Sequence, residues 1–270
     1  SPFSSSCREA SPKEESFPPQ HAWHWNRHNN REHRLYELIE AKPRLSWEDF
    51  HAIKYDRQYP AQGPIRSIWS AIASLPDTSV PILQEALQIV RSWDFTGRGD
   101  SRAAALLILA GSYALKKAGL PAYNWLESGK IQLPKSLLWE SLSYAVNQLR
   151  RFYNETAPPL EKVQALEVSR KRYSLDGMPE QLAPTYAEWD SKKGFLKVVA
   201  GDTYIQFVRF SRHLSFPEVE SILPLGVSGD PSSPHYADQL PLYRERRCKL
   251  MTLDPLQVKS RSILVKRFSR

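Results

Sequence analysis

Along the first two-thirds of the chain, apolar residues recur at three- and four-residue spacing, the period of a helix with one buried face. Leu35, Leu38 and Ile39 form one stripe with Arg31, Arg34 and Glu37 between them, and Pro43 closes the segment. Ser46 precedes an acid three positions on, Asp49, with Phe50, Ile53 and Tyr55 following. That order predicts a second helix opened by a capping box. The spacing predicts further helices over 63–74 and over 80–93, the latter capped by Ser79 with Pro81 in its first turn. Residues 102–117 are almost uniformly apolar and begin Ala103-Ala104-Ala105, which predicts a buried helix that neighbours approach closely. Two more helices are predicted over 135–153 and 160–172.

After Pro184 the period changes to two. Phe195-Leu-Lys-Val-Val199 and Thr203-Tyr-Ile-Gln-Phe-Val-Arg-Phe210 are rich in β-formers, and Ala200-Gly201-Asp202 between them predicts a hairpin. A short strand follows over 219–225, then a polar loop over 226–236. No internal repeat is visible. A helical body followed by antiparallel strands is an α+β fold. The expected boundaries are a flexible Ser/Pro-rich lead-in over 1–20, one domain over 21–245 (mainly helical over 21–183, strands and closing loop over 184–245), and a basic tail over 246–270. Order is expected to begin near Trp23 and Trp25.

Composition narrows the function classes. The chain has 270 residues, 41% of them hydrophobic and 30 of them aromatic, enough for a sizeable core and too apolar for disorder throughout. The longest strongly apolar run, 103–111, is about half of what a bilayer-spanning helix needs, so no membrane span is expected. Cys7 and Cys248, the two cysteines, make neither a disulfide framework nor a cysteine metal site. The first residue is Ser1 with no apolar signal core after it, as expected of a processed chain or a fragment. The net charge is +8, but the last 27 residues hold nine cations against Glu245 and Asp254, leaving +1 for the other 243. That stretch lacks the interleaved aromatics of a base-stacking surface, so no nucleic-acid partner is expected.

Three constellations carry candidate chemistry. The loop Gly226-Val-Ser228-Gly-Asp230-Pro-Ser-Ser-Pro-His235 contains a possible nucleophile, base and orienter. Eight residues holding all three also describe a structural turn tied by side-chain hydrogen bonds, the blander reading. His21, His24, His28 and His33 cluster without the ligand spacings of zinc enzymes, which favours surface histidines over a metal site. Gly97-Arg-Gly-Asp100-Ser101 precedes a helix but lacks the Lys-Ser/Thr of a phosphate loop, so Asp100 and Ser101 are expected as helix caps.

Four segments, in order, resemble the penicillin amidase family, the N-terminal-nucleophile hydrolases that include penicillin, cephalosporin and acyl-homoserine lactone acylases. They are Arg31-Glu-His-Arg34-Leu-Tyr-Glu-Leu-Ile-Glu-Ala-Lys-Pro-Arg-Leu45 with Trp47-Glu-Asp-Phe50 and Asp56; Trp93-Asp94 with Asp100-Ser-Arg-Ala-Ala-Ala-Leu-Leu; Gly201-Asp-Thr-Tyr-Ile205; and Ser228-Gly-Asp-Pro231 with Ser233-Pro-His-Tyr-Ala-Asp-Gln239. The resemblance covers about residues 31–245. It implies the C-terminal portion of an αββα sandwich in which a serine, its own α-amino group serving as base, attacks an amide carbonyl, while an asparagine and a backbone N–H hold the oxyanion.

Carried onto this sequence, Arg31 keeps the family arginine's offset from Lys42-Pro43 and is the expected support for substrate and oxyanion. Asn26, after Trp25, is the expected oxyanion donor, though closer to Arg31 than the family spacing. Ser1 is an N-terminal serine, but Pro2-Phe3-Ser4 does not resemble the residues after the family's nucleophile, and the 30 residues ahead of Arg31 are too few for the first sheet. The nucleophile is therefore expected outside this sequence, on the rest of the acylase chain or a partner subunit, with an N-acyl amide as small-molecule substrate. Calcium, which some members bind, has no ligand set that can be placed in this sequence, and no other cofactor is expected. Periplasmic or secreted location is implied by resemblance alone. The alternative reading is a non-catalytic remnant or interaction module whose basic tail binds an anionic partner.

Overall fold

The computed structural model describes residues 30–120 and 132–262. Helix α1 (Asn30–Glu40) starts where the period starts, but its apolar stripe is not its buried face. Ile39 is exposed, and the buried residues are polar, Asn30 and Glu32. The helix is tied down by charge: Arg34 Nε and Nη2 donate to the two carboxylate oxygens of Asp56, both at 2.9 Å, in the bidentate geometry that gives Arg–carboxylate pairs their strength.

Helix α2 (Trp47–Lys54) opens with the expected capping box. Asp49 N donates to Ser46 Oγ at 3.1 Å and Ser46 N to Asp49 Oδ2 at 3.0 Å. Ser46→Ala removes an acceptor from an orphan N–H and is expected to cost about 1 kcal/mol, read as a shift in the urea midpoint. Helices α3 (Pro64–Ala73) and α4 (Pro81–Arg91) each have proline in the first turn. Val80, not Ser79, is the N-cap of α4, and no side chain caps it.

Helix α5 (Arg102–Lys117) is the hub of the core. Residues 103–111, Ala114 and Leu115 are all buried, so the first half of the helix has no face left for water. Ser101 Oγ accepts from Ala104 N at 3.3 Å to cap it, and α6 (Lys135–Tyr153) lies along it through Leu138, Leu142, Ala145 and Leu149, a three- to four-residue stripe. Tyr59 and Trp69 meet Trp93 edge-on at 6.0 and 6.3 Å, filling the same core.

The helix predicted over 160–172 is only α7 (Leu160–Val163), after which the chain turns to strand. Strand β1 (Gln164–Val168) pairs antiparallel with β2 (Lys171–Ser174) across Ser169 and Arg170, both at positive φ, 48° and 66°. A two-residue turn of that kind usually announces itself with Asn-Gly, and this one does not. β3 (Thr185–Asp190) and β4 (Phe195–Gly201) complete a four-stranded sheet of order β2-β1-β4-β3, in which β1 and β4 run parallel.

The predicted hairpin across Ala200-Gly201-Asp202 is absent. β4 turns back on β3 instead, through Asp190, whose carboxylate accepts from Lys192 N and Lys193 N, and through Gly194 at φ 70°. At Gly201 the chain passes from one compact unit, Ser1–Gly201, to a second, Asp202–Arg270.

In the second unit β5 (Ile205–Arg209), β6 (Glu218–Ile222) and, beyond α8 (Leu240–Arg244), β7 (Lys249–Met251) form an antiparallel sheet of order β5-β6-β7. Its core is Ile205, Phe207, Val219, Ile222 and Leu240. The basic stretch carries β7 and α9 (Pro255–Arg261), and every lysine and arginine from Arg244 to Arg261 is exposed. No helix among the described residues is long and apolar enough to cross a membrane.

Candidate active site around Arg31

Arg31 sits in the first turn of α1, beside Asn30. Its Nε lies 3.8 Å from Glu180 Oε2, an ion pair with side-chain exposures of 28% and 4%. Neither of these two buried atoms makes a hydrogen bond among the described residues. The other carboxylate oxygen of Glu180 accepts from the Tyr186 hydroxyl at 2.5 Å. Burial, and then the nearby Glu180 charge, push Tyr186 well above the usual tyrosine range, and burial does the same to Tyr59. Both phenols therefore remain neutral donors, Tyr59 to Pro179 O at 2.6 Å.

Glu180 holds its position at a backbone cost. Its φ is 63°, in the left-handed region that side chains other than glycine rarely occupy. A buried carboxylate in such a conformation persists only where its surroundings fix it, and such strain gathers at functional sites. Here the fixing is extensive. Gln181 Oε1 accepts from Met178 N at 2.9 Å and its Nε2 donates to Arg57 O at 2.5 Å, while Lys54 Nζ donates to Leu182 O at 3.0 Å. Arg57 Nη2 stands 2.7 Å from Asp176, and Gly177 N donates to Gly97 O at 2.7 Å. Gly97 has no room for a side chain, since an added Cβ would meet Gln181 Oε1 at 2.5 Å.

On the other side of Arg31, the wholly buried Asn30 turns Oδ1 to Ile65 N at 3.2 Å, which fixes its amide. Gly63 makes that approach possible. Asn30 Nδ2 makes no hydrogen bond among the described residues. Asn30 Nδ2, Arg31 Nε and Glu180 Oε2 thus bring two donors and one acceptor, desolvated in advance, to one end of α1. Such groups are costly to bury and strong once matched. The arrangement suits a carbonyl, carboxylate or amide better than an apolar ligand.

The other sequence candidates fare differently. Ser1, Asn26, His21, His24 and His28 lie outside the described residues. Ser228 and His235 meet only through the backbone, Ser228 N donating to His235 O at 3.2 Å; their side chains are engaged elsewhere, Ser228 Oγ accepting from Asp230 N at 3.1 Å and His235 Nδ1 facing Asp238 Oδ2 at 2.9 Å. Asp230 accepts from Ser232 N and Oγ, bonds that hold its carboxyl below the usual range. The loop is a turn tied by its side chains, the blander of its two readings, and Gly226 is packed against His235 O with no space for a Cβ.

The glycine loop over 97–101 spends its backbone on the fold, with Gly97 N donating to Arg57 O and Gly99 O accepting from Glu161 N. Ser101 caps α5, whereas Asp100 pairs with Arg98 at 3.3 Å. Among the described residues no three His, Cys, Asp or Glu side chains are grouped to hold a metal ion.

Glu180, Tyr186 and Asn30, which the structure sets around Arg31, were not legible as candidates. Gly177 and Pro179 mark a turn, but nothing local marks a buried acid within it. With the arginine of the first family-like segment in this setting, the comparison with known proteins is decisive. The sequence matches the penicillin amidase family over residues 7–260. The chain belongs to the penicillin amidase family. Among solved structures it is similar to a thermostable penicillin G acylase from Alcaligenes faecalis, at 14% identity and a TM-score of 0.48, over 90% of this chain and 53% of that one. The chain spans about half the length of that acylase. No curated protein matches the sequence.

Proposed function

We propose that this chain is the C-terminal portion of an acylase that hydrolyses the amide bond of an N-acyl substrate, penicillin-like or an acyl-homoserine lactone, by a serine N-terminal-nucleophile mechanism. The observation that carries the reading is Arg31, at the family-like offset from Lys42-Pro43 and held by the buried Glu180 at 3.8 Å.

In this mechanism the serine Oγ, on sequence outside these 270 residues, bonds to the amide carbon as its proton passes to the serine's own α-amino group. The carbonyl oxygen becomes an oxyanion, to which Asn26 donates while Arg31 fixes the substrate and balances the charge. Collapse breaks the C–N bond and the ammonium returns its proton to the departing amine. Water then cleaves the acyl ester, releasing the acid. Glu180 and Tyr186 act through Arg31 as positioning residues, since a guanidinium held from one side presents its remaining donors in a fixed direction.

The 270-residue chain alone is expected to be inactive, and its native setting exported. N-terminal sequencing and intact mass on native material test this. The expected finding is a linked or co-purifying segment that begins with serine. A 31.0 kDa chain that is the whole native product and hydrolyses no acyl amide overturns it.

A further inference from the structure

The first unit contains a cavity of about 830 Å³ that meets the Arg31 cluster only along one wall. It lies between the C-terminal turns of α5, the middle of α6 and strands β3 and β4, and its size falls within the range of small-molecule sites, about 300–1,000 Å³. Its floor is apolar and closed, with Leu109 at 2% and Leu196 at 1% exposure. Its sides are aromatic and only half-buried. Tyr113 stacks on Tyr144 with ring centres 4.2 Å apart and planes at 24°. Trp189 also lines the cavity; its Nε1 donates to Gln148 Oε1 at 3.2 Å and its ring meets Phe152 edge-on at 5.8 Å, so that the indole is held in one orientation.

Three charged residues line the cavity, and they are not equivalent. Lys117 is 3.6 Å from Glu140, the same carboxylate that takes the Tyr113 hydroxyl at 2.5 Å. Glu188 stands opposite Lys197 in the β3–β4 register. Lys116 is exposed and has no carboxylate within ion-pair distance among the described residues. A rigid aromatic enclosure with an apolar floor and one uncommitted ammonium at its rim is complementary to a flat ligand with a single negative charge. Ring stacking supplies shape selectivity and the ammonium supplies the sign.

We propose that this cavity binds a planar aromatic anion, its ring system between Tyr113, Tyr144 and Trp189 and its acidic group on Lys116. The site is distinct from the Arg31 cluster and does not depend on the acylase reading, because binding here requires no nucleophile and no turnover. The two share a wall: Tyr186 lines the cavity and donates its hydroxyl to Glu180, and Pro179 lines it and accepts from Tyr59.

Isothermal titration of the 270-residue chain with 2-naphthoate tests the proposal without reference to amide hydrolysis. The expected dissociation constant is below about 1 mM, in keeping with the affinity that a ligand of this size attains. Lys116→Gln, at an exposed position where folding is not at stake, is expected to weaken 2-naphthoate about tenfold. The same substitution should leave the neutral 2-naphthamide unchanged, and 2-naphthamide should bind the unsubstituted chain about tenfold more weakly than the acid. No binding of 2-naphthoate at 1 mM, equal binding by Lys116→Gln, or equal affinity for acid and amide would each overturn the proposal.

Discussion

Replacing Glu180 by alanine is expected to lower the unfolding free energy by about 3 kcal/mol, the low end of what removing one partner of a buried ion pair costs. The low end applies because the Arg31 side chain keeps 28% of its surface and can recover some hydration, whereas Glu180, at 4%, cannot. The substitution also leaves the Tyr186 hydroxyl without the acceptor it has at 2.5 Å. Glu180→Gln keeps the shape and can keep that acceptor but loses the charge, so about half the penalty is expected. Both variants face the same left-handed backbone at φ 63°, which therefore cancels between them. Urea denaturation followed by circular dichroism gives the comparison. If alanine and glutamine variants both unfold with the wild type, the Arg31–Glu180 pair is not an organising contact.

The second large effect concerns turnover by the complete native protein. Arg31→Ala is expected to reduce kcat/KM for an N-acyl anilide by about a hundredfold, the order of loss when one preorganised donor to a developing oxyanion is removed. A fall in kcat with KM nearly constant would assign Arg31 to the transition state. A rise in KM with kcat unchanged would assign it to substrate binding in both states alike. Arg31→Lys restores the charge but not the planar fork, so it should recover only part of the loss. Full activity in Arg31→Ala, in protein that melts like wild type, would remove Arg31 from the site.

The extent to which such a site can be read from sequence depends on how locally its residues are specified. The capping box of α2, the proline at the start of α4, and the bounds of α6 at 135 and 153 were legible because each rests on residues within one or two turns. Arg31 was singled out only because a run of family-like residues fixed its offset from Pro43. Its setting was not legible. The residues that hold Glu180 in place bond across the chain, Gln181 to Arg57 and Lys54 to Leu182 over 124 and 128 positions, and no window contains both ends.

Periodicity misled where tertiary contacts overrode it. In α1 the leucine stripe suggested the buried face, yet Asn30 and Glu32 are inside, while the bidentate Arg34–Asp56 pair anchors the helix. Residues 164–172 kept a helix-like spacing but were claimed by the sheet, because β4 offers β1 a parallel partner from about 30 residues downstream. The predicted hairpin at Gly201 failed for a similar reason. Asp190 and Gly194 form a better turn earlier, and β4 has spent its edges on β3 and β1 by the time the chain reaches Asp202.

The central claim, that this chain belongs to a working serine N-terminal-nucleophile acylase, is tested most directly by trapping the covalent intermediate. Native protein is mixed with an N-acyl anilide, quenched in acid within the first turnover, and mapped by peptide mass spectrometry. The account predicts one acyl group on the hydroxyl of an N-terminal serine outside these 270 residues, with stoichiometric release of aniline. Hydrolysis without that adduct, an adduct on a residue of this chain, or no aniline released by the complete native protein would contradict it.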